Sequence, residues 1–386
     1  MSKVVEERPY QERIVNKVMD AITAGHKSIL IEAPTGSGKT IMGLMIAKRL
    51  GEERGWRTGW TSMRKHLLKQ ASDENDATLK IPNADVQPDG QIRFFSTFDK
   101  NIAEDQIQYP IDLFIEDEGH HSASTTSTEN YKVINPKVHI ALTATPFRTD
   151  RMKLCFSKVI KDAGIRALID QGYLSSYHQY IFHESWTPEI VARHFLNDPV
   201  RWGKSVIFFL TEDESQRCAE IIRAGGIKTE VVTGSSDQET QIESFNDGDT
   251  QVLINMVVLT EGFDSTILKT VWARPGSKGP TIQQVGRSLR KHYGTDPTTG
   301  ELLKPFAQVV QNGASHWPFT RIASSEKKFV CHNGTNWEVR ETNERVAQAS
   351  RSAIKAIAKI NVTIPPLLRK FQKRHFMTYG HVGGGD

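Results

Sequence analysis

A glycine-rich loop between an apolar run and a helix-like run is the feature that most limits how this chain can fold. In the segment ILIEAPTGSGKTIMGL, a short β-rich run leads into the loop, and a helical pattern from Gly38 to Leu50 follows it. A buried strand that passes through such a loop into a helix is part of a βαβ unit. The segment therefore predicts an open parallel sheet.

The same alternation of strand-like and helix-like runs recurs along most of the chain. Short apolar runs bounded by turn residues, typical of strands buried on both faces, include KSILIEA, RTGWTSM, QIRFFSTF, IDLFIED and VHIALTAT. The pattern breaks near KDAGIRALIDQGYLSSYHQY and then resumes as far as AQVVQN. We predict an α/β fold with two tandem parallel-sheet domains, residues 1–175 and 176–313. A small, mainly helical and basic C-terminal extension, 314–386, is expected to follow.

Composition predicts a globular protein without membrane segments. The 386 residues are 38% hydrophobic and 24% charged, and the apolar runs are far shorter than the roughly 20 residues of a membrane helix. Cys155, Cys218 and Cys331 are isolated and odd in number, which argues against a disulfide framework and a structural zinc site. We expect a cytoplasmic location, with the nucleoid and a phage-infected cell as more specific settings.

Positive charge is concentrated towards the end of the chain. The net charge is +4 overall, yet residues 311–386 contain 12 Lys plus Arg against 5 Asp plus Glu. A solvated helical face and a patch that meets nucleic-acid phosphates are both consistent with this run of bases. The sequence leaves the choice between them open.

The loop itself has the residues of a phosphate-binding loop whose first glycine is replaced by Ala33. Glycines allow backbone N–H groups to face phosphates at a helix N-terminus, Lys39 adds a positive charge, and Thr40 offers a hydroxyl to Mg²⁺. The residues expected around the phosphates of the nucleotide are Thr35, Gly36, Ser37, Gly38, Lys39 and Thr40.

A cluster of acids and histidines, IEDEGHH, follows the predicted strand IDLFI. A carboxylate at the carboxyl end of such a strand points into the crevice where open α/β sheets bind ligands. Asp117 is therefore expected to hold Mg²⁺, and Glu118 to orient and deprotonate an attacking water. A zinc site made by His120, His121 and an acid is the competing interpretation, although neighbouring residues at a strand end point apart.

Three further segments, LTATPFR, LTEGFD and QQVGRSLR, follow in this order. Together with APTGSGKT and DEGHH, they resemble the motifs of superfamily 2 helicases of the DEAD/DEAH-box type. The resemblance is strongest to the group of XPB-like repair helicases and type III restriction motor subunits, and it covers roughly residues 5 to 315. It implies two RecA-like domains with ATP bound between them.

The resemblance also implies roles for individual residues in nucleotide binding and hydrolysis. In RPYQ, Gln11 would read the base edge, with Tyr10 or Arg8 nearby. In the second domain, Gln283 would reach the γ-phosphate region, and Arg287 and Arg290 would stabilise charge on the transferring phosphoryl group. The remaining nucleotide and coupling residues implied by the motifs are Gly262 and Asp264 at the nucleotide, and His120, Thr143 and Thr145 for coupling.

Nucleic-acid contacts are expected where the resemblance places the backbone-tracking loops. Arg64 and Thr97 follow the second and third predicted strands, and Thr260 lies in LTEGFD. Contacts to phosphates need only small polar or basic groups and carry little sequence information. For Arg64 and Thr97, a helix cap or a solvated side chain is the alternative role.

These features together predict an ATP- and Mg²⁺-dependent helicase or translocase acting on nucleic acid, with DNA favoured. An RNA helicase, a clamp that does not unwind, and the motor subunit of a restriction-type complex are the alternatives. Protein partners from a repair, recombination or restriction complex are expected, since the sequence contains no recognisable nuclease or methyltransferase motif.

Two positions depart from the pattern of the family. Glu116 occupies a position that is usually apolar, and Gly119 stands where alanine or cysteine is usual. A buried carboxylate must find a partner because an unpaired buried charge is costly. The sequence suggests no partner for Glu116.

Overall fold

The computed structural model describes most of the first 313 residues and two short segments beyond them. The described residues are 8–99, 102, 109–119, 125–145, 156–256, 263, 265–276, 278–313, 315, 319, 328–332 and 337–341. Those up to Val339 belong to one compact unit, which contains both β-sheets except the last two residues of the final strand. Among the described residues, no helix combines the length and hydropathy required of a membrane span.

The first half of the chain forms a six-stranded sheet in which every neighbouring pair is parallel. The strand order is β3-β2-β4-β5-β1-β6. Its strands are β1 (Ser28–Glu32), β2 (Thr58–Ser62), β3 (Ile92–Ser96), β4 (Leu113–Asp117), β5 (Val138–Thr143) and β6 (Lys158–Ile160). The helices of this half are α1 (Pro9–Thr23), α2 (Lys39–Arg54), α3 (Lys65–Ala77) and α4 (Thr125–Ile134).

Both faces of the first sheet are covered, which explains its unalternating apolar strands. Strands β2, β4 and β5 are buried along their whole length. Helix α2 lies against Trp60 and Leu142, since a Cβ built on Gly43 would be 2.7 Å from the Trp60 ring. Successive residues of a strand point to opposite faces, so Glu116 and His139 belong to the other face, where α4 packs.

The second half forms a larger sheet with the order β14-β13-β7-β12-β11-β8-β10-β9, and its pairings from β13 to β9 are all parallel. Its strands are β7 (Tyr177–Phe182), β8 (Ser205–Phe208), β9 (Thr229–Val232), β10 (Val252–Asn255), β11 (Thr270–Ala273), β12 (Ala307–Asn312), β13 (Lys328–His332) and β14 (Trp337–Glu341). Its helices are α5 (Ile165–Asp170), α6 (Pro188–Leu196), α7 (Pro199–Trp202), α8 (Glu212–Ala224), α9 (Gln238–Asn246) and α10 (Lys278–Gly286), with a 3-10 turn at Arg287–Leu289.

One apolar cluster includes buried side chains from both halves, such as Ile31 in β1 and Val271 in β11. A second cluster covers the other face of the second sheet, where the rings of Trp202 and Trp272 meet with centroids 4.9 Å apart. The two halves therefore share buried apolar surface.

The predicted fold class, two parallel-sheet α/β domains in tandem, is confirmed. The first sheet ends with β6 at Ile160 and the second begins with β7 at Tyr177. Strand β7 begins inside the segment where the apolar pattern breaks and extends two residues beyond its end at Tyr180. Its pattern is interrupted because Gln179 is buried and donates through Nε2 to Gln311 Oε1 at 2.8 Å, so a polar pair occupies a core position.

The prediction that residues after 313 are mainly helical is wrong for the described part of that segment. Residues 328–332 and 337–341 are strands, and β13 pairs with β7, so the second sheet continues past the predicted boundary. The run RVAQASRSAIKAIAKI, predicted to be helical, lies outside the described residues.

Candidate active site

The glycine-rich loop joins β1 to α2. Gly36 and Gly38 have φ angles of 81° and 77°, a left-handed conformation that glycine adopts without steric cost. Lys39 is the first residue of α2, so the loop ends at a helix N-terminus, where the free N–H groups and the helix dipole favour an anion. The N–H of Ala33 donates to the Thr143 carbonyl at 3.0 Å and ties the loop to the end of β5.

Residues of α1 hold the loop from behind. The Gln11 amide donates through Nε2 to the Ser37 carbonyl at 3.0 Å, and the Tyr10 hydroxyl donates to the same oxygen. Arg8 contacts the Tyr10 hydroxyl, and its guanidinium lies 5.5 Å from the ring centroid of Tyr173. Gln11, predicted to read the nucleotide base, is only 3% exposed, and its amide nitrogen is engaged by the loop.

Two acidic residues end β4 and begin the following turn. Asp117 is 9% exposed, and its Oδ1 accepts the N–H of Glu118 at 2.9 Å. Glu118 has a φ of 52°, which is uncommon for a residue with a side chain and is often found at functional sites. Burial raises the pKa of Asp117 to about 6, and the charge of Glu118 adds to this shift. A cation bound beside Asp117 would favour the charged carboxylate and so oppose that shift.

Charges of both signs surround the Lys39 ammonium. Burial is the main cause that lowers the pKa of Lys39, and Arg287 and Arg290 lower it further. The carboxylates of Glu118 and Asp117 act in the opposite direction and raise this pKa. The predicted phosphate, acid and arginine residues are thus brought within electrostatic range of one another.

The second half contacts the loop directly through the QQVGRSLR segment. A Cβ built on Gly286 would lie 2.6 Å from Thr35 Cβ, so only glycine allows this close approach. A Cβ built on Gly36 would lie 3.3 Å from Arg290 Cγ, which places Arg290 over the loop. Burial lowers the pKa of Arg290 to about 10. Arg287 is 7% exposed and donates to the Phe263 carbonyl at 3.2 Å.

The end of β5 forms another contact between the halves. The Thr143 hydroxyl donates to the Thr145 carbonyl and accepts from the Thr145 N–H, both at 3.0 Å. A Cβ built on Gly279, near the start of α10, would lie 4.0 Å from Thr145 Cγ2. Gln283 is partly exposed one turn further along α10. The two predicted coupling threonines therefore join the loop, through Ala33, to α10.

A divalent cation suits the acidic side of this site. Asp117 is a buried carboxylate whose raised pKa a cation would reverse, and Thr40 lies in the first turn of α2 with a hydroxyl oxygen. Mg²⁺ prefers oxygen ligands and keeps several waters, so these two groups fit it. Within the part of the chain that the structure describes, there is no group of three or more His, Cys, Asp or Glu that would hold a metal ion. The alternative zinc site relies on His120 and His121, which lie outside the described residues.

The structure supplies the partners of Glu116 that the sequence did not suggest. Glu116 is 2% exposed, accepts from the Ser127 hydroxyl at 2.8 Å and lies 3.3 Å from His139 Nε2. Gly119, the other departure from the family, also has a steric reason, since a Cβ there would be 2.5 Å from Ala141 Cβ. The glycine is required by close packing of the turn against β5.

One of the predicted nucleic-acid contacts, Thr97, has a buried side chain. Thr97 is 1% exposed, its hydroxyl pairs with that of Thr61 at 3.1 Å, and its N–H donates to the Ser62 carbonyl. Its polar groups are therefore used inside the protein, because the turn after β3 folds back on β2. Phe98, the next residue, is 56% exposed and was not predicted. Arg64 is partly exposed at the start of α3, as a phosphate contact requires.

Several predicted site residues lie outside the described residues. They are His120, Thr260, Gly262 and Asp264. Phe263, between two of them, is described and is 2% exposed. The prediction that LTEGFD contacts nucleotide and nucleic acid therefore stays a prediction.

A buried lysine behind Arg290 was not predicted. Lys304 is 3% exposed and donates through Nζ to the carbonyls of Arg290 at 2.6 Å and Thr266 at 3.2 Å. Burial lowers the pKa of Lys304 to about 7, and the charge of Arg290 contributes. The sequence gives no signal for it, because a lysine after a polar loop usually faces solvent.

Family models match both halves of the chain. Residues 4–148 match the model described as type III restriction enzyme, res subunit. Residues 188–292 match the model described as helicase conserved C-terminal domain. The two matches include the glycine-rich loop, the Asp117–Glu118 turn, and Arg287 and Arg290.

Two individual proteins are similar to most of this chain, but the match covers a smaller share of their own length. A 51.5 kDa protein of a Lactococcus phage is 24% identical over 68% of this chain and 63% of its own. The putative ATP-dependent helicase IRC3 of Saccharomyces cerevisiae is 22% identical over 75% of this chain and 50% of its own. The chain thus spans only half to two thirds of the length of these relatives.

A solved structure supports the fold alone. It is the ATP-dependent Type ISP restriction-modification enzyme LlaBIII bound to DNA, which is 14% identical and has a TM-score of 0.60. The match covers 80% of this chain and 28% of that one. This likeness agrees with the two family models, since the first model matches the half with the first sheet and the second model matches the half with the second sheet. Residues 4–148 are therefore similar to type III restriction res subunits and residues 188–292 to helicase C-terminal domains, which agrees with the resemblance to superfamily 2 helicases.

Proposed function

We propose that this protein is an ATP-dependent nucleic-acid helicase or translocase, in which ATP hydrolysis between the two halves drives movement on DNA. The observation that carries the proposal is the contact of Gly286 and Arg290 with the loop at Thr35 and Gly36. A site that needs groups from both halves is complete only when they are together. Nucleotide chemistry and the relative motion of the halves then depend on each other.

In this proposal the loop binds the triphosphate of ATP. Backbone N–H groups of the loop and of the first turn of α2 face the phosphates, and Lys39 adds a positive charge. Asp117 and the Thr40 hydroxyl hold Mg²⁺, which when bound neutralises charge on the β- and γ-phosphates. Gln11 borders the base and also fixes the loop through its contact with Ser37.

Hydrolysis depends on groups from both sides of the cleft. Glu118 orients the attacking water and accepts its proton, while Gln283 contacts the γ-phosphate region. Arg287 and Arg290 stabilise the charge that develops on the phosphoryl group, a role in which arginine is worth about 10³ to 10⁵ in rate. Because both arginines come from the second half, hydrolysis requires closure of the cleft.

The state of the nucleotide reaches the second half through a small set of residues. Thr143 and Thr145 connect the loop to the start of α10, as the contacts of Ala33 and Gly279 support. His120 follows Glu118 along the chain and takes part in the same coupling. Gly262 and Asp264 contribute from LTEGFD at the nucleotide.

We propose DNA as the nucleic acid, gripped by its backbone. The similar enzyme LlaBIII was solved bound to DNA, and the basic segment 311–386 supplies charge for phosphates. Arg64 and Thr260 are the proposed phosphate contacts. The Thr97 side chain is buried, so in this proposal nucleic acid contacts the exposed surface of the turn at Phe98 instead. The protein would act in the cytoplasm, on the nucleoid or in a phage-infected cell.

Two alternatives have specific support. An RNA helicase would use the same grip, because these contacts address a phosphate backbone. A motor or clamp subunit of a restriction-type complex, which translocates without unwinding, is favoured by the match of residues 4–148 to a res subunit. In that case partner proteins supply the cleavage chemistry.

A comparison of ATPase rates tests the proposal and its alternatives. The rate is measured alone and with single strands, duplexes, forks and four-way junctions, in DNA and in RNA, and strand separation is followed on the same substrates. We expect stimulation by DNA that exceeds stimulation by RNA. A larger effect of RNA would favour the RNA helicase, and stimulation without strand separation would favour the restriction-type motor. A rate that no nucleic acid changes would contradict all three.

A further inference from the structure

Helix α4 is fastened at two buried points to two different strand ends of the first sheet. The Ser127 hydroxyl donates to Glu116 Oε1 at 2.8 Å, near the end of β4. Asn130 Nδ2 donates to the Thr97 carbonyl at 2.7 Å, just after β3. Ser127 and Asn130 are three positions apart, so both lie on one helix face. The same face of α4 therefore contacts both places.

The Glu116 end of this connection is rigid. Glu116 lies in a buried pocket with His139, whose ring is 5.2 Å from Phe114, 5.4 Å from Tyr131 and 5.4 Å from Phe156 by centroid distance. A buried carboxylate is costly unless it accepts hydrogen bonds, so the groups around it are held to a defined geometry. An apolar residue at this position would pack without imposing that geometry.

The Thr97 end is rigid as well. The Thr97 hydroxyl pairs with that of Thr61 at 3.1 Å, and the Thr97 N–H donates to Ser62. Asn130, on α4, makes the third hydrogen bond to Thr97. Phe98, the next residue, is 56% exposed. A ligand bound on the surface of this turn would therefore contact a backbone segment that is hydrogen-bonded to β2 and to α4.

The two strand ends lie on the same edge of the sheet. Strands β3 and β4 both pair with β2 and run parallel to it, so their carboxyl ends point in the same direction. Glu116 is joined by one peptide bond to Asp117, and Glu118 follows with its left-handed φ of 52°. A residue in that conformation keeps it only where its surroundings hold it. The position of Glu118 therefore depends on how the end of β4 is held.

We propose that Glu116 is a positioning residue. It couples the turn at Thr97 and Phe98 (the Thr97 turn) to the Asp117–Glu118 turn, and the connection passes through Ser127, α4 and Asn130. Nucleic acid bound at the Thr97 turn then increases ATP turnover by fixing the geometry of Glu118. This proposal rests on the proposed function, since it describes how nucleic acid regulates the same ATP site. Neither Ser127 nor Asn130 contacts ATP or the nucleic acid in this scheme.

Substitutions on one face of α4 test the connection. ATP turnover of Ser127→Ala and Asn130→Ala is measured without nucleic acid and at saturating single-stranded DNA. We expect basal turnover within about twofold of wild type and DNA stimulation reduced about fivefold or more, the lower end of usual coupling between sites. Ser127→Thr keeps the hydroxyl and should retain the stimulation. Lys132→Ala, at an exposed position of the same helix, is the matched control.

The double variant Ser127→Ala/Asn130→Ala tests whether the two contacts belong to one connection or lower the DNA stimulation independently. If the two contacts act in series, the double variant loses no more stimulation than the more affected single variant. Losses that multiply would contradict a single connection. Glu116→Gln keeps an acceptor for Ser127 and should lose less stimulation than Glu116→Leu.

The outcomes distinguish failure of this inference from failure of the proposed function. If no nucleic acid stimulates the wild-type enzyme, the proposed function itself fails. If wild type is stimulated and both alanine variants are stimulated equally at saturating DNA, only the coupling through α4 is wrong. Thermal unfolding identifies a variant that does not fold, and the comparison of Ser127→Thr with Ser127→Ala then decides the question.

Discussion

The two halves of the molecule contribute different sets of charged groups to the site: among the described residues, the carboxylates come only from the first half, and the arginines come from the second. The first half brings the loop, Lys39 and the carboxylates of Asp117 and Glu118. The second half brings the cations Arg287 and Arg290, with Lys304 behind them. Burial raises the pKa of Asp117 and lowers those of Lys39, Arg290 and Lys304.

This difference shows what the cleft requires from a ligand. Each of these pKa shifts means that the charged form is disfavoured when the protein is alone. A polyanion between the loop and the arginines would stabilise the cations, and a divalent cation beside Asp117 would stabilise the carboxylate. A nucleoside triphosphate with Mg²⁺ would supply both charges. The charged groups of the two halves would then all be stabilised by one ligand.

Removal of an arginine from the second half is expected to have the largest effect on this pairing. Arg290→Ala should lower ATP turnover by about 10³-fold or more, because an arginine that stabilises the phosphoryl group contributes that much. ATP binding should fall much less, since the loop remains intact. Steady-state ATPase and fluorescent-nucleotide binding are measured together. Turnover within tenfold of wild type would mean that Arg290 does not stabilise the transferring phosphoryl group.

The corresponding change in the first half removes the proton acceptor. Glu118→Gln should lower turnover by about 10²- to 10⁴-fold, the usual contribution of a general base, while ATP still binds. Glu116→Gln, one peptide bond from Asp117 but facing α4, is the matched control and should retain basal turnover. Equal losses in the two variants would indicate damage to the end of β4 rather than loss of a base.

Much of this comparison could be predicted from the sequence, because local motifs encode it. The strand, loop and helix around Lys39 are contiguous, and the acids directly follow a buried strand, so their placement needs little knowledge of the whole fold. The arginines of QQVGRSLR were assigned from the family resemblance; Arg290 lies beside Gly36, and both arginines are within electrostatic range of Lys39.

The parts that could not be predicted depend on contacts between residues distant in sequence. Glu116 finds His139 and Ser127 only after β4, β5 and α4 have packed, and Lys304 is buried only because its loop folds back on Arg290. Thr97 was expected to contact nucleic acid because the resemblance places a backbone-tracking loop after the third strand, but the turn after β3 buries its side chain. Strand β7 was missed because a buried glutamine pair interrupts its apolar pattern.

The close approach of the halves can be changed without removing a charge. Gly286→Ala introduces a Cβ that would lie 2.6 Å from Thr35 Cβ, so the second half must move away from the loop. A displacement of about 1 Å at a reactive site costs roughly 100-fold in rate, and we expect a loss of that size in turnover. Gly279→Ala is the control, since its Cβ would meet Thr145 at an ordinary 4.0 Å. Equal turnover in both alanine variants would show that the Thr35 contact does not position the arginines.

The smallest expected effect concerns the cation behind the arginines. The pKa of Lys304 is lowered from 10.5 to about 7, so between these pH values the unfolded lysine is protonated while the native one is neutral. The unfolded state binds more protons in this window, and the free energy of unfolding therefore rises as the pH rises from about 7 to about 10.5. One pKa unit corresponds to about 1.4 kcal/mol, so a rise of a few kcal/mol is expected from this group.

Lys304→Met should remove this rise, because methionine has no proton to lose. Denaturant unfolding at pH 7, 8, 9 and 10 gives the slope for each protein, and Lys132→Met, at an exposed position, should keep the wild-type slope. Slopes are compared rather than absolute stabilities, since the variant also leaves the carbonyls of Arg290 and Thr266 without their donor, a cost of about 1 to 3 kcal/mol each. An unchanged slope in Lys304→Met would mean that Lys304 stays protonated in the native protein, and the cationic side of the cleft would then carry three charges instead of two at neutral pH and above.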